Sequence, residues 1–532
     1  MHKNHLYRIY LAAFMILIGM FGMLFRYYSL LDDDTAAQIS VRQGNYHLHI
    51  PLQSGTIYDR NGKPLTNSEN KLYAVVNPNA ETVLPLFGKA ADSAMLEKNL
   101  RRNSPFLCEL TEEVPESGNL ILLHGKENRE GILPAQHLLG YCKEGRGIAG
   151  LQASYGDLLA GYAYSADITF TVSGNGSVLS GGEQRTVMNG EAGGGILTTL
   201  DYQIQRIADT ALQNVKTGAA VIMDIRTGDL LAVSSVPVYN PAHLEAFLND
   251  PDAPFLNRAF SAYSVGSVFK LVTAAAALEN GIPENYYYDC KGAYLLYGQR
   301  FRCHLLSGHG LLDMKQAMTV SCNPYFISLS ELLSANVLHD TASALGFGTA
   351  YTLAPDMTAD SGYLPQNQEL SIPAEKANFS FGQGKLTATP LQIAAMTACI
   401  ANDGIYSAPR LIIGTTADGN TASHSDNPIQ RRVLRHETAS ALQRMMIAVL
   451  RDSKHSNAVP CNIYAAGKTS TAQTGRTDAD GTELCHAWMT GFFPAYQPQY
   501  AVTVLIENGG SGNDAAAPVF RRIIEEMRRA GY

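Results

Sequence analysis

A serine is followed three positions later by a lysine in Ser267-Val268-Phe269-Lys270, which stands after Gly266 and opens the apolar, alanine-rich run 271–281. Such a run is expected to be helical. That places the serine hydroxyl near the positive end of a helix dipole and the lysine on the same face. A lysine desolvated there sheds its charge, can accept the serine proton, and so turns the hydroxyl into a nucleophile. A serine and a lysine at this spacing also begin many ordinary helices, so further groups are needed to specify chemistry.

Other chemistries fail on spacing. Gly467-Lys468-Thr469 has the ending of a phosphate-binding loop, but that loop requires a glycine where Asn462 stands. His436-Glu437 opens a zinc-protease helix motif, yet Ser440 occupies the place of its second histidine. Among eight cysteines, Cys290 and Cys303 are a candidate disulfide pair within one Gly- and Tyr-rich segment, with free thiols equally compatible. No CxxC or closely spaced Cys/His set accompanies them, which disfavours a metal there, and no cofactor is expected.

Two downstream segments supply company for the serine and lysine. Ser321-Cys322-Asn323 gives an S-x-N pattern, and Lys468-Thr469-Ser470-Thr471 follows Ala465-Ala466-Gly467. In this order the three segments match the S-x-x-K, S-x-N and K-T-G set of penicillin-binding proteins and β-lactamases. The resemblance extends beyond them. Asn257-Arg258-Ala259 before VGSVFK is similar to the NRA…PGSTFK block of class B penicillin-binding proteins. Gly382-Gln383-Gly384 with Thr389-Pro390-Leu391-Gln392 resembles their GQG…TPLQ segment. GTIYDRNGKPL at 55–65, and Gly150-Leu151-Gln152 with Leu158-Leu159-Ala160-Gly161, resemble elements of their N-terminal pedestal.

This resemblance implies a serine D,D-transpeptidase. Ser267 would attack the carbonyl between the last two D-alanines of a stem peptide, with Lys270 as general base. Ser321 would relay a proton to the departing D-alanine, and Asn323 would hold the substrate amide. Lys468 would supply positive potential, and the Thr469-Ser470-Thr471 strand would bind substrate, its threonines taking the terminal carboxylate. The backbone N–H groups of Ser267 and Thr471 would form the oxyanion hole. The family further implies β-lactams as covalent inhibitors and a membrane-embedded partner that polymerises the glycan strands. A β-lactamase or β-lactam sensor would share these motifs, and a non-catalytic cell-wall scaffold is the reading from another class. Three departures stand out: Ser470 where the family has glycine, Ser54 where its pedestal has arginine, and Gln152 where it has glutamate.

The elements that must position these residues are legible in outline. The run 218–235 reads as two strands joined by the Arg226-Thr227-Gly228-Asp229 turn, and 500–507 as a late strand. A helix is expected over 199–215 with Asp201 as its cap, and another over 521–532. Early strands, a helical middle and late strands specify an antiparallel sheet covered by helices and closed by distant pairing. Ahead of it, 29–195 is expected to be an elongated α+β pedestal ending in a Gly- and Ser-rich loop over 173–195.

The first residues set the location. Residues 9–25 carry no charge, with Lys3 and Arg8 before them and Asp32, Asp33 and Asp34 soon after. The positive-inside rule then puts residues 1–8 in the cytoplasm, an anchor at 9–28 in the membrane, and the rest outside. Thr35-Ala36-Ala37 is a poor cleavage site, because the aspartates separate it from the apolar run. The expected order is therefore anchor, pedestal over 29–195 and transpeptidase domain over 196–532, an α+β chain. A formal net charge of −8 and no basic stripe exclude a nucleic-acid binder.

Overall fold

The computed structural model describes residues 2–31, 44–102, 104–129, 131–143, 145–181, 183–423, 427–452, 456–461 and 464–532. Asp32, Asp33, Asp34, Thr35, Ala36, Ala37 and Asn462 lie outside the described residues. The first element is a helix over His2–Leu31. Within it, 23 residues over Tyr7–Ser29 have a mean hydropathy of 2.0 and no burial, which meets the length and apolarity of a membrane span.

By compactness the chain forms two units: residues 1–53, 69–127 and 163–190 in one, and 54–68, 128–162 and 191–532 in the other. The segment 29–195 therefore contributes to both.

The larger unit is organised by a five-stranded sheet. Its strands are β1 (Gly218–Asp224), β2 (Leu230–Val236), β3 (Ala466–Thr477), β4 (Glu483–Phe493) and β5 (Tyr500–Ile506). The order is β2-β1-β5-β4-β3, with every pair antiparallel. As expected, β1 closes on the distant β5, Val221 facing Thr503. Every residue of β2 is buried, because helices cover both faces and a doubly covered strand has no solvent side on which to alternate.

Those helices can be assigned to faces from single contacts. Thr490 of β4 bonds the Thr397 hydroxyl of the helix Pro390–Ala401 at 2.7 Å, so this wholly buried helix covers one face. The adjacent Gly491 leaves room for Phe520 of the helix Ala517–Arg529, which covers the other. The Pro390–Ala401 helix starts as its sequence dictates. Thr389 Oγ1 accepts the Gln392 N–H at 3.1 Å, and Gln392 Oε1 accepts the Thr389 N–H at 2.8 Å, with proline in the first turn. Asp201 caps the Tyr202–Leu212 helix by accepting the N–H groups of Gln203 and Ile204.

The GTIYDRNGKPL element belongs to this unit. Its strand Thr56–Tyr58 runs parallel to Gly195–Thr198, Ile57 opposite Ile196. Asp59 then closes the turn by accepting the N–H groups of Asn61 and Lys63, both at 2.8 Å.

The smaller unit holds two three-stranded sheets. In one, Tyr164–Thr171 lies between Asn45–Gln53 and Gln184–Asn189; in the other, Glu69–Val76 lies between Phe106–Leu110 and Leu120–Glu127. The period of two in the central strand divides its core. Tyr73 and Val75 pack with Ile50, Ile168 and Phe170, while Ala74 and Val76 pack with Leu86, Leu96 and Phe106. The expected loop over 173–195 is corrected here, because Gln184–Asn189 forms an edge strand. Its exposed polar residues tolerate an unpaired edge facing water, and this hid it among the flanking glycines.

Candidate active site

The Ser267 segment takes one 3₁₀ turn over Gly266–Phe269 before the α-helix Lys270–Glu279 begins. That tight turn and the following helix bring Lys270 Nζ to 3.1 Å from Ser267 Oγ. Ser321 arrives from the end of the helix Met314–Thr319. There the Cys322 N–H donates to Ala317 O at 3.0 Å and the Ser321 N–H to Met318 O at 3.3 Å, the paired bonds of a Schellman ending. In that ending one residue must be left-handed, and Ser321, with φ of 52°, takes the place where glycine is usual. Pro324 then starts the helix Asn323–Glu331.

These elements converge on one lysine nitrogen. Lys270 Nζ lies 2.7 Å from the Ser321 carbonyl oxygen, 3.0 Å from Ser321 Oγ and 2.7 Å from Asn323 Oδ1. The Ser321 hydroxyl donates to Ser267 Oγ at 3.0 Å, and Lys468 Nζ donates to Ser321 Oγ at 3.2 Å. Five residues named from sequence, Ser267, Lys270, Ser321, Asn323 and Lys468, thus form one hydrogen-bonded cluster.

Burial sets the charge of both lysines. Lys270 is fully buried, and desolvation, followed by repulsion from Lys468, holds it well below the usual lysine range. Desolvation lowers Lys468 to about 8. A neutral Lys270 amine has two N–H donors, matched by the two carbonyl oxygens at 2.7 Å, and a lone pair left for the Ser267 hydroxyl proton.

Ser470 is buried, and its hydroxyl is spent on structure: Oγ donates to Val265 O at 2.9 Å, just upstream of Ser267. A Cβ at Gly266 would meet Ser470 Oγ at 2.4 Å, so the β3 side chain fits because residue 266 has none. Gly382, singled out by resemblance without a role, supports the same loop. Its carbonyl accepts the Gly266 N–H at 2.7 Å, its φ is +81°, and a Cβ there would meet Gly266 O at 2.0 Å.

Along β3, Thr469 is half-buried and Thr471 exposed. The Thr469 carbonyl accepts from Lys468 Nζ at 2.8 Å, and Thr471 Oγ1 accepts the Gly512 N–H at 3.2 Å. Ser267, Ser321, Asn323 and Lys468 open into a cleft of roughly 1090 Å³. Arg300, His304 and Gln383 also line it and were given no site role from sequence. Gln383 stood inside a recognised segment, but nothing in the spacing pointed to Arg300 or His304.

Comparison with known proteins agrees with this geometry. The family model for the penicillin binding protein transpeptidase domain matches residues 218–525. Peptidoglycan D,D-transpeptidase PbpA of Mycolicibacterium smegmatis is 32% identical over 372 residues, covering 64% of this chain and 73% of that protein. Stage V sporulation protein D of Bacillus subtilis is 27% identical over 527 residues, covering 92% and 80%. A chain of a peptidoglycan synthase complex that coordinates polymerization and crosslinking superposes with a TM-score of 0.68 at 25% identity, covering 98% of both chains. Penicillin-binding protein A of M. tuberculosis, as a ceftriaxone acyl-enzyme, shares the fold with a TM-score of 0.65 at 22% identity, covering 90% of this chain and 98% of its own. Sheet, motif order and family match agree: the chain belongs to the penicillin-binding proteins that carry a transpeptidase domain.

Proposed function

We propose that this chain is a peptidoglycan D,D-transpeptidase with Ser267 as nucleophile and Lys270 as general base. One observation carries the assignment of roles: a fully buried lysine, its pKa held well below the usual lysine range by burial, 3.1 Å from the serine hydroxyl. Lys270 takes the Ser267 proton as Oγ bonds the carbonyl carbon of the penultimate D-alanine. The tetrahedral oxyanion is received by the backbone N–H groups of Ser267 and Thr471. Collapse breaks the peptide bond, and the departing D-alanine amine takes a proton through Ser321, which touches Ser267, Lys270 and Lys468. An amine of a second stem peptide then attacks the acyl carbon, returns Ser267 to its hydroxyl form, and leaves a cross-link.

Lys468 supplies positive charge, and Thr469 and Thr471 receive the terminal carboxylate at the open side of β3. Asn323 has one carbonyl on Lys270 and its amide available to the substrate backbone. Ser470 holds the strand against the nucleophile loop rather than touching substrate. β-Lactams, which mimic the D-Ala-D-Ala carbonyl, would acylate Ser267. Residues 9–28 serve as the anchor, with residues 29–195 as pedestal and 196–532 as the extracytoplasmic catalytic domain. A membrane-embedded polymerase supplies the glycan strands.

The test is exchange of a fluorescent D-amino acid into a stem pentapeptide by the full chain in detergent. Exchange with release of D-alanine, absent in Ser267→Ala, is the expected result. No exchange, together with rapid hydrolysis of benzylpenicillin, would replace transfer by β-lactamase chemistry.

A further inference from the structure

A second groove, of roughly 410 Å³, adjoins the catalytic cleft and takes no part in the reaction. Three elements wall it. Arg444, Ile447 and Arg451 lie along one face of the helix His436–Arg451, Lys315 stands in the first turn of the helix Met314–Thr319, and Tyr496 follows β4. We propose that this groove binds the glycan of peptidoglycan, a chain of N-acetylated sugars, and holds the strand whose stem peptide lies in the catalytic cleft. The proposal rests on the transpeptidase reading above and adds to it the sugar half of the substrate.

The rings supply a platform. Tyr496 is 67% exposed and Tyr464 70%, yet their ring centroids lie 5.7 Å apart, and the Ala495 N–H donates to Tyr464 O at 2.8 Å. Two tyrosines kept in water and pinned by a backbone bond do little for the core, and a paired aromatic patch of this kind marks a binding surface. A pyranose ring presents an apolar C–H face that covers an aromatic ring, while the phenol tip remains wet. Among the described residues neither phenol oxygen has a hydrogen-bond partner, so both are open to sugar hydroxyls.

The polar lining cancels its own charge. Arg444 Nη2 donates to Glu284 Oε1 at 2.6 Å, and Arg451 grips Asp452 through two bonds of 2.7 and 3.1 Å. Asp313 Oδ1 accepts the Gln316 N–H at 2.7 Å, two residues before Lys315 in the same helix start. Three acids thus stand against three bases. A groove without excess charge favours a neutral ligand rich in hydroxyl and amide groups over an anion. Among the described residues, Lys315 Nζ and the Asn285 amide have no partner and are left for those groups.

Groove and cleft share a wall. Asp452 lines the cleft, and Arg451, its partner, lines the groove. Thr319 lines the cleft, and its hydroxyl donates at 2.9 Å to the carbonyl of Lys315, one turn back. The bond to Arg451, and more weakly the nearby Lys315, hold the Asp452 carboxyl below its usual range, which puts the three groups together. The helix Met314–Thr319 has six residues and is about 9 Å long, and Ser321 follows it. A stem of five residues spans at most about 17 Å when extended, so a sugar in the groove is within its tether. Holding the strand there lowers KM without touching the transition state.

The experiment compares two substrates of the full chain in detergent: the stem pentapeptide alone, and the same peptide on its disaccharide. In D-amino acid exchange the disaccharide form should show a KM about tenfold lower at a similar kcat. Tyr496→Ala should abolish that advantage and Tyr496→Phe keep most of it, with pentapeptide exchange and penicillin labelling unchanged in both. Saturation-transfer NMR with a tetramer of N-acetylglucosamine reads the groove without any reaction: signal with the wild type, none with Tyr496→Ala. Failure of penicillin labelling and of pentapeptide exchange would strike the transpeptidase reading, and the sugar signal would still decide the groove. The proposal is overturned if the wild type gives no saturation transfer to the sugar. Equal KM values for the two substrates, or an advantage that survives Tyr496→Ala, overturn it as well.

Discussion

Ser470 Oγ donates a 2.9 Å hydrogen bond to the carbonyl oxygen of Val265, tying β3 to the loop that presents Ser267. The family's glycine at this position has no side chain to do so. The departure is therefore a brace between the two strands of chain that must hold still while the serine reacts.

Replacing Ser470 with alanine removes the donor and leaves the buried Val265 carbonyl short of a partner. A loss of about 1 kcal/mol is expected, with acylation by fluorescent penicillin slowed a few-fold. Thermal melts and labelling time courses read the two effects. A variant that melts and labels like the wild type contradicts the bracing role.

Lys270→Arg keeps a cation of similar reach that cannot give up its proton. Acylation should fall by roughly 10²–10⁴-fold, the usual contribution of a general base. Labelling within tenfold of the wild type would show that another group takes the serine proton.

The pH profile follows from the two lysines. Burial first, and Lys468 second, lower the Lys270 pKa, so the acylation rate climbs with pH as Lys270 loses its proton. The rate falls again as pH passes about 8, where buried Lys468 loses its charge. Lys468→Gln removes the repulsion, which raises the Lys270 pKa. Its acid limb should move to higher pH and its alkaline limb should disappear. An acid limb that stays in place rules out the assigned coupling.

Gly382→Ala forces a Cβ to within 2.0 Å of the Gly266 carbonyl at a φ of +81°. A destabilisation of about 3 kcal/mol is expected, with loss of penicillin labelling as the Ser267 turn is displaced. Wild-type labelling by a stably folded variant would remove Gly382 from the support of that turn.

Much of this was readable from the chain because its chemistry sits in short contiguous segments. Ser267 and Lys270 share one turn, and Ser321 and Asn323 flank a single cysteine, so local spacing reports local geometry. The sheet was legible for a similar reason, since β1, β2 and β5 are apolar runs bounded by turn residues. What escaped depends on contacts between distant residues. Nothing near Thr56 reveals that its strand lies against Gly195–Thr198. The left-handed Ser321 follows from how one helix ends before the next begins, not from its own preference. Cys290, Cys303, His309 and Cys322 come within 4.8 Å of one another only in the fold, because their spacing in the chain is too wide to report the contact. The bracing role of Ser470 likewise depends on a partner, Val265, 205 residues away in the chain.

The measurement closest to the central claim is the intact mass of the full chain after treatment with benzylpenicillin, followed by peptide mapping. The wild type should gain the mass of one penicilloyl group, located on Ser267, and Ser267→Ala should gain none. An adduct on another residue, or an unmodified wild type that remains folded, would contradict Ser267 as the nucleophile.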